Sequence, residues 1–91
     1  MSTLSLPERF DHTFHKAFTD SYTKILAQVT GQTITLDFGK VIYLDSAALG
    51  MMVLLNKRAK EKGCSLEIAN AKGTALDVLK IANFDKLITI R

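Results

Sequence analysis

Along this chain, short segments in which polar and apolar residues alternate, as they do in β-strands, are separated by longer segments whose apolar residues have the spacing of an α-helix. Polar and apolar residues alternate in four places, which predicts strands over residues 3–6, 33–38, 65–69 and 87–90. Helices are predicted between them, over residues 12–29, 46–62 and 75–83. This order favours an α/β fold with a largely parallel sheet and right-handed crossover connections.

The length of 91 residues limits the chain to one small domain, which we expect to span residues 1–91. We expect a mixed, mostly parallel sheet of about four strands, packed with three to four helices. Hydrophobic residues make up 47% of the chain and charged residues 23%, which is ordinary for a globular protein and argues against disorder. A large enzyme pocket is not expected, because so small a domain needs most of its apolar residues for the core.

The net charge of +3 is too small to indicate nucleic-acid binding by itself. The one basic cluster, Lys57, Arg58, Lys60 and Lys62, falls near the end of the second predicted helix. Cations at that position complement the helix dipole, and this structural interpretation is favoured over direct contact with RNA or DNA. We therefore expect no direct nucleic-acid partner.

The N-terminus has no basic start followed by an apolar run, so no signal peptide is evident. The longest nearly unbroken apolar run covers residues 47–55, far short of the roughly 20 residues that span a bilayer. Cys64 is the only cysteine, which excludes an internal disulfide. A cytoplasmic protein without a membrane-spanning segment is expected.

The stretch from Leu44 to Gly50 joins an extended segment to the second helix. Asp45 and Ser46 are both good N-cap residues, because a short side-chain oxygen can accept a hydrogen bond from a free amide of the first turn. If Asp45 is the cap, Ser46 becomes the first helical residue and its hydroxyl lies beside the positive end of the helix dipole. A phosphate attached there would be stabilised, although most helix starts of this kind have no function beyond capping.

The first half of the second helix is apolar on nearly every side, whereas a surface helix needs only one apolar stripe. Either this helix is packed between the sheet and a neighbouring helix, or part of it stays exposed for a partner. Both can hold on opposite faces. Gly50 inside the helix costs about 1 kcal/mol relative to alanine, and the close approach of another backbone, either within the fold or across an interface, would explain it. Gly63 is well placed to end the helix.

Asp11 is the predicted N-cap of the first helix, whose apolar face follows a helical spacing. His12 and His15 lie three residues apart, but no cysteine or acidic cluster completes a metal site, so no metal and no cofactor are predicted. The glycines are scattered and form no phosphate-binding loop. Ser46 could be combined with a histidine and an aspartate, yet no nucleophile-elbow motif surrounds it. An enzyme is therefore not expected.

Residues 37–50, Asp-Phe-Gly-Lys-Val-Ile-Tyr-Leu-Asp-Ser-Ala-Ala-Leu-Gly, resemble the signature of the STAS domain family, typified by bacterial anti-sigma-factor antagonists. The resemblance extends roughly over residues 4–90. It implies a sheet packed with helices, in which the chain lacks the additional N-terminal strand that many relatives have. It also implies that Ser46 is the phosphorylated residue and that Asp11 lies near it. Ala47 replaces a second hydroxyl found in many relatives, and Ala48 replaces a frequent glycine.

The resemblance further implies a partner-switching role in the regulation of transcription. The unphosphorylated protein would bind an anti-sigma factor that is also a serine kinase, phosphorylation of Ser46 would release it, and a metal-dependent serine phosphatase would reset the switch. The partner-binding residues expected on this basis are Asp11, Asp45, Ser46, Ala47, Ala48, Leu49, Gly50 and Met51. The alternative is an accessory subunit of an ABC-type membrane transporter without a phospho-switch. A monomer or weak homodimer is expected.

Overall fold

The computed structural model describes residues 2–91, which form six strands and three α-helices. Two single turns of 3-10 helix precede α1 and β6. No helix in this part of the chain is both long enough and apolar enough to cross a bilayer. In chain order the elements are β1 (Ser2–Ser5), β2 (Arg9–Phe10), a 3-10 turn (His12–Phe14), α1 (His15–Gln28), β3 (Thr33–Asp37), β4 (Tyr43–Leu44), α2 (Ser46–Glu61), β5 (Ser65–Ala69), α3 (Gly73–Ile81), a 3-10 turn (Phe84–Lys86) and β6 (Thr89–Ile90).

The main sheet has the strand order β1-β3-β5-β6, and all three pairs are parallel. The predicted α/β architecture is confirmed, although the sheet is parallel throughout the described residues rather than mixed. Each crossover moves one place in the same direction. Right-handed crossovers therefore place α1, α2 and α3 on one face of the sheet. The first strand, β1, forms one edge of this sheet.

The strand register separates an apolar face of the sheet from a polar one. Adjacent positions on the four strands form a row that faces the helices: Leu4, Leu36, Ile68 and Ile90. The neighbouring row, on the opposite face, is polar: Thr3, Thr35, Glu67 and Thr89. On this face the Thr35 hydroxyl donates to Glu67 Oε1 at 2.9 Å, and Arg91 pairs with the same carboxylate at 3.1 Å. The helices therefore cover the apolar row, which is the alternation that the sequence predicts for a strand buried on one side.

A second ladder, between β2 and β4, was not expected from the sequence. It pairs Phe10 with Leu44 in parallel and so joins the chain before α1 to the chain before α2. Phe10 is fully buried and lies 5.2 Å from Phe18, measured between ring centroids, and 6.2 Å from Phe38. This aromatic cluster fixes the entrances to both helices against the same part of the core.

The two helices α1 and α2 run side by side in the same direction and are joined at both ends. At their N-terminal ends, His12 Nδ1 lies 3.6 Å from Asp45 Oδ2. At their C-terminal ends, the N–H of Gly31 donates to the carbonyl of Lys62 at 3.3 Å. Gly31 and Gly63 have φ angles of +68° and +71°, so each uses a conformation that favours glycine. The predicted role of Gly63 in ending α2 is confirmed.

The third helix differs from the prediction at both ends. It begins at Gly73, two residues before the predicted start at residue 75, and no side chain caps it. It ends at Ile81, which is 82% exposed and does not point inward. The reason is that Asn83 adopts a left-handed conformation (φ +61°) and turns the chain into a 3-10 helix. The last strand is consequently shorter than predicted.

Candidate protein-binding site

Ser46 is the first residue of α2, and Asp45 is the N-cap. The Asp45 backbone is extended, with φ −111° and ψ −178°, and its Oδ1 accepts a hydrogen bond from the Ala48 N–H at 2.8 Å. Because Asp45 supplies the capping oxygen, the hydroxyl of Ser46 is not needed for this purpose. The Ser46 side chain is exposed at the positive end of the helix dipole.

The carboxylate of Asp45 connects the starts of both helices. One oxygen caps α2, and the other faces His12, whose side chain is 76% exposed. The pKa of Asp45 lies below its ordinary value of 3.8, chiefly because the Ala48 N–H donates to the charged form. A fixed negative charge therefore stands directly before Ser46 at neutral pH.

Asp11 caps the 3-10 turn before α1, which confirms the predicted capping role. Its Oδ1 accepts hydrogen bonds from the backbone N–H of Thr13, at 3.0 Å, and from the Thr13 hydroxyl. Its Oδ2 lies 3.4 Å from the Arg9 guanidinium. The hydroxyl of Thr13 is the largest cause that lowers the pKa of Asp11 below 3.8. Asp11 is 4% exposed, so its carboxylate supports the local structure from within, and its expected role in partner binding stays a prediction.

Arg9 links Asp11 to the strand that leads into Ser46. Its guanidinium carbon lies 4.9 Å from the centre of the Tyr43 ring, over its face, which is a cation–π geometry. The backbone N–H groups of Ile42 and Tyr43 both donate to the carbonyl of Glu8, at 2.9 and 3.2 Å. These contacts hold Ile42 and Tyr43 outward, where they are 67% and 44% exposed.

Ser46 and the exposed residues around it, most of them apolar, form what we call the Ser46 surface. Four of its members, Arg9, Ile42, Tyr43 and Val53, are not among the partner-binding residues expected from the sequence. The apolar run 41–44 is typical of buried strand, and only its pairing with β2 reveals which residues face outward. The Ser46 surface consists of Arg9, Ile42, Tyr43, Ser46, Ala47, Gly50 and Val53.

Two of the expected partner-binding residues lie in the core instead. Ala48 is 0% exposed and Met51 is 7% exposed, because both point from α2 towards the sheet. Neither residue therefore belongs to the exposed patch, and their expected role in partner binding stays a prediction without exposed area to support it. Leu49 is half-buried against the core, whereas Ala47 and Gly50 are exposed. The apolar helix is therefore packed against the core on one face and exposed on the other, and the use of the exposed face by a partner stays a prediction.

Of the two explanations for Gly50, close approach of a backbone within the fold is wrong, and close approach across an interface stays a prediction. A Cβ atom built at Gly50 would have no neighbour within 4 Å outside the helix itself. The absence of a side chain here leaves a shallow, flat area of backbone one turn beyond Ser46, between Ser46 and Val53, which is 46% exposed.

The histidines are not brought together with further metal ligands. Within residues 2–91, no group of three or more histidine, cysteine, aspartate or glutamate side chains has an arrangement that could hold a metal ion. His12 instead faces Asp45, and His15 borders the groove between α1 and α2.

Comparisons with known proteins agree on the family and the fold. The family model described as "Mlab, STAS domain" matches residues 1–89. A STAS-domain containing protein of Pseudomonas aeruginosa (strain UCBPP-PA14) is 33% identical over 88 residues, which are 97% of this chain and 85% of that protein.

Two solved structures have the same fold at low sequence identity. A candidate anti-sigma factor antagonist of Thermotoga maritima superimposes with a TM-score of 0.81 at 20% identity, covering 97% of this chain and 77% of that one. The anti-sigma factor antagonist SpoIIAA, in its unphosphorylated form, gives a TM-score of 0.66 at 16% identity and covers 93% of this chain and 86% of its own. The match of the family model, supported by the related sequence and the shared fold, shows that the chain belongs to the STAS domain family.

Proposed function

We propose that this STAS domain is an anti-sigma-factor antagonist that works as a phosphorylation-controlled protein-binding switch. Its unphosphorylated form binds an anti-sigma factor that is also a serine kinase, in the cytoplasm. Phosphorylation of Ser46 releases that partner, and a metal-dependent serine phosphatase restores the binding form. The observation that carries the proposal is the exposed position of Ser46 at the start of α2, with Asp45 acting as the cap.

The surroundings of Ser46 suit a docking surface that one charge can disable. Ile42, Tyr43 and Val53 supply exposed apolar area on either side of the hydroxyl. Burying such area against a partner contributes roughly 25 cal/mol per Å² before the costs of association are subtracted. Gly50 allows a partner backbone to approach α2 without meeting a side chain.

A phosphate on Ser46 would act against this docking through electrostatics. It adds roughly −1.5 to −2 charge at neutral pH and must be desolvated when the surface is covered. The helix N-terminus stabilises the phosphate in the free protein. The carboxylate of Asp45 stands beside it, so an acidic partner group would meet a concentrated negative charge. A loss of about 3 kcal/mol would weaken binding by a factor of about 100, without any change of fold.

The proposal is tested by capture of the partner from native cells with three tagged proteins. Ser46→Ala is expected to retain a serine-kinase partner, and Ser46→Asp is expected to lose at least about nine-tenths of it. Ser65→Asp is the matched control, because it places the same charge on an exposed serine of the opposite, polar sheet face. Mass spectrometry of the wild-type protein should place a phosphate on Ser46.

Two results would contradict the switch. Equal capture of the kinase by Ser46→Ala and Ser46→Asp would show that charge at this position does not control binding. Recovery of a transporter ATPase subunit, together with an unmodified Ser46, would instead support the alternative role as a fixed subunit of an ABC-type transporter.

A further inference from the structure

A groove lies between α1 and α2, at about a right angle around α2 from the Ser46 surface. It encloses about 540 Å³. Its floor is apolar, since Tyr22 and Leu26 are buried at 3% and 7% exposure, and Leu54 borders it at 40% exposure. The lining residues are His15, Thr19, Tyr22, Thr23, Leu26, Ala27, Leu54, Arg58, Glu61 and Lys62.

The shape of the groove is set by the two parallel helices. Its lining on α1 extends from His15 to Ala27, and a helix rises about 1.5 Å per residue, so the groove is roughly 18 Å long. The contacts between His12 and Asp45 and between Gly31 and Lys62 hold the two walls together at both ends. An open groove of this length accommodates about three turns of another helix.

The charge of the groove decides between its conceivable occupants. Arg58 and Lys62 line it, and neither has an acidic partner within 4.0 Å among residues 2–91. Glu61 is the one acid on this wall of the groove. A second copy of the chain would bring like charges together. The groove has an apolar floor beside two unpaired cations. A partner surface with an apolar stripe flanked by carboxylates is complementary to it in both polarity and charge.

We propose that the α1–α2 groove binds an amphipathic helix of a partner protein, with apolar residues at helical spacing and aspartate or glutamate on its flanks. The apolar stripe packs on Tyr22, Leu26 and Leu54, and the carboxylates face Arg58 and Lys62. Because α2 presents the Ser46 surface and this groove on different sides, one partner helix and one Ser46-dependent partner can occupy the domain together.

The experiment uses a display library of helical 16-residue peptides, selected on the wild-type protein and counter-selected on Leu54→Glu. The expected consensus has apolar residues at positions i, i+3 or i+4, and i+7, flanked by acidic residues. A synthetic peptide with that pattern should shift the amide resonances of α1 and α2 saturably. Its affinity should fall at least about tenfold in Leu54→Glu and in Arg58→Glu.

Leu87→Glu is the matched control, because Leu87 is as exposed as Leu54 but neither lines the groove nor belongs to the Ser46 surface. It should leave the peptide affinity within about twofold of the wild type. Circular dichroism establishes that all three variants are folded.

Four results would overturn the inference. The first is a selection that enriches basic peptides or enriches no peptide, and the second is a set of resonance shifts centred on the Ser46 surface. The third is preferential binding of a single-stranded RNA oligonucleotide to Arg58 and Lys62. The fourth is dimerisation of the protein through this groove. Loss of the Ser46 switch would leave the peptide result unchanged, so failure of the proposed function and failure of the groove are distinguishable.

Discussion

The Oδ2 atom of Asp45 lies 3.6 Å from Nδ1 of His12, while the other carboxylate oxygen of Asp45 accepts the N–H of Ala48 at 2.8 Å. One side chain thus caps α2 and connects it to the turn that begins α1. Because Asp45 contacts both helices, the backbone immediately before Ser46 is fixed, and the position of the Ser46 side chain is well defined.

We expect Asp45→Ala to lower the thermal unfolding midpoint by about 5 °C, because the Ala48 N–H loses its acceptor at the start of α2. Asp45→Asn should lower the midpoint by much less, since asparagine is an equally good N-cap. Thermal unfolding followed by circular dichroism measures both. Equal midpoints for the alanine and asparagine variants would contradict the capping role.

Stability should fall in acid. Hydrogen bonds hold the pKa values of Asp11, Asp37 and Asp45 below 3.8 in the folded protein, with Thr13, Asn70 and Ala48 as the respective main donors. A lowered folded pKa stabilises the protein above the unfolded value, and this contribution is lost as the pH falls through the folded value.

Urea midpoints should therefore be nearly constant from pH 7 to about pH 5 and decrease below about pH 4. In the double variant Asp11→Asn with Asp45→Asn, the urea midpoint should decrease less steeply below about pH 4 than in the wild type. A wild-type curve that rises towards low pH would show that these carboxylates do not favour the folded state.

Gly50→Ala should stabilise the protein by about 0.5–1 kcal/mol, because alanine is the better helix former and a Cβ there has no neighbour within 4 Å. Gly63→Ala should instead destabilise it by about 1–2 kcal/mol, since its φ of +71° is unfavourable for alanine. Urea denaturation of the two variants measures both changes in the free energy of unfolding. A stabilised Gly50→Ala that binds its partner less well would indicate that the partner approaches the bare backbone.

Leu54 and Leu55 are neighbours in α2 with opposite surroundings. Leu55 is 0% exposed, so Leu55→Ala should cost about 2–5 kcal/mol of the free energy of unfolding. Leu54 is 40% exposed, and its replacement by alanine should cost less than about 1 kcal/mol. Similar losses at both positions would mean that the face of α2 against the sheet is assigned incorrectly.

Local pattern was sufficient for the elements that have strong periodicity. The alternation around Ile34 and Leu36, the start of α2 at Ser46 and its end before Gly63 all follow from neighbouring residues. The ladder between β2 and β4 has only two residues on each strand and no periodicity to recognise. The exposure of Ile42 and Tyr43 depends on that ladder, so two of the seven residues of the Ser46 surface could be placed only from the tertiary structure.

The third helix shows the opposite limitation. It was predicted to continue to residue 83, but it ends at Ile81 because the left-handed Asn83 redirects the chain. Ala48 and Met51 are likewise among the expected partner-binding residues, yet the rotation of α2 against the sheet decides that they are buried. Side-chain direction at the site is therefore a property of packing.

The polar row on the far side of the sheet gives a practical way to observe this protein. Thr89 is exposed there, away from the three helices, and the native thiol of Cys64 is 3% exposed. A cysteine introduced at Thr89 would accept a fluorophore or a biosensor linker in preference to the native thiol. Immobilised through that position, the domain would present both α2-based surfaces to dissolved proteins without hindrance.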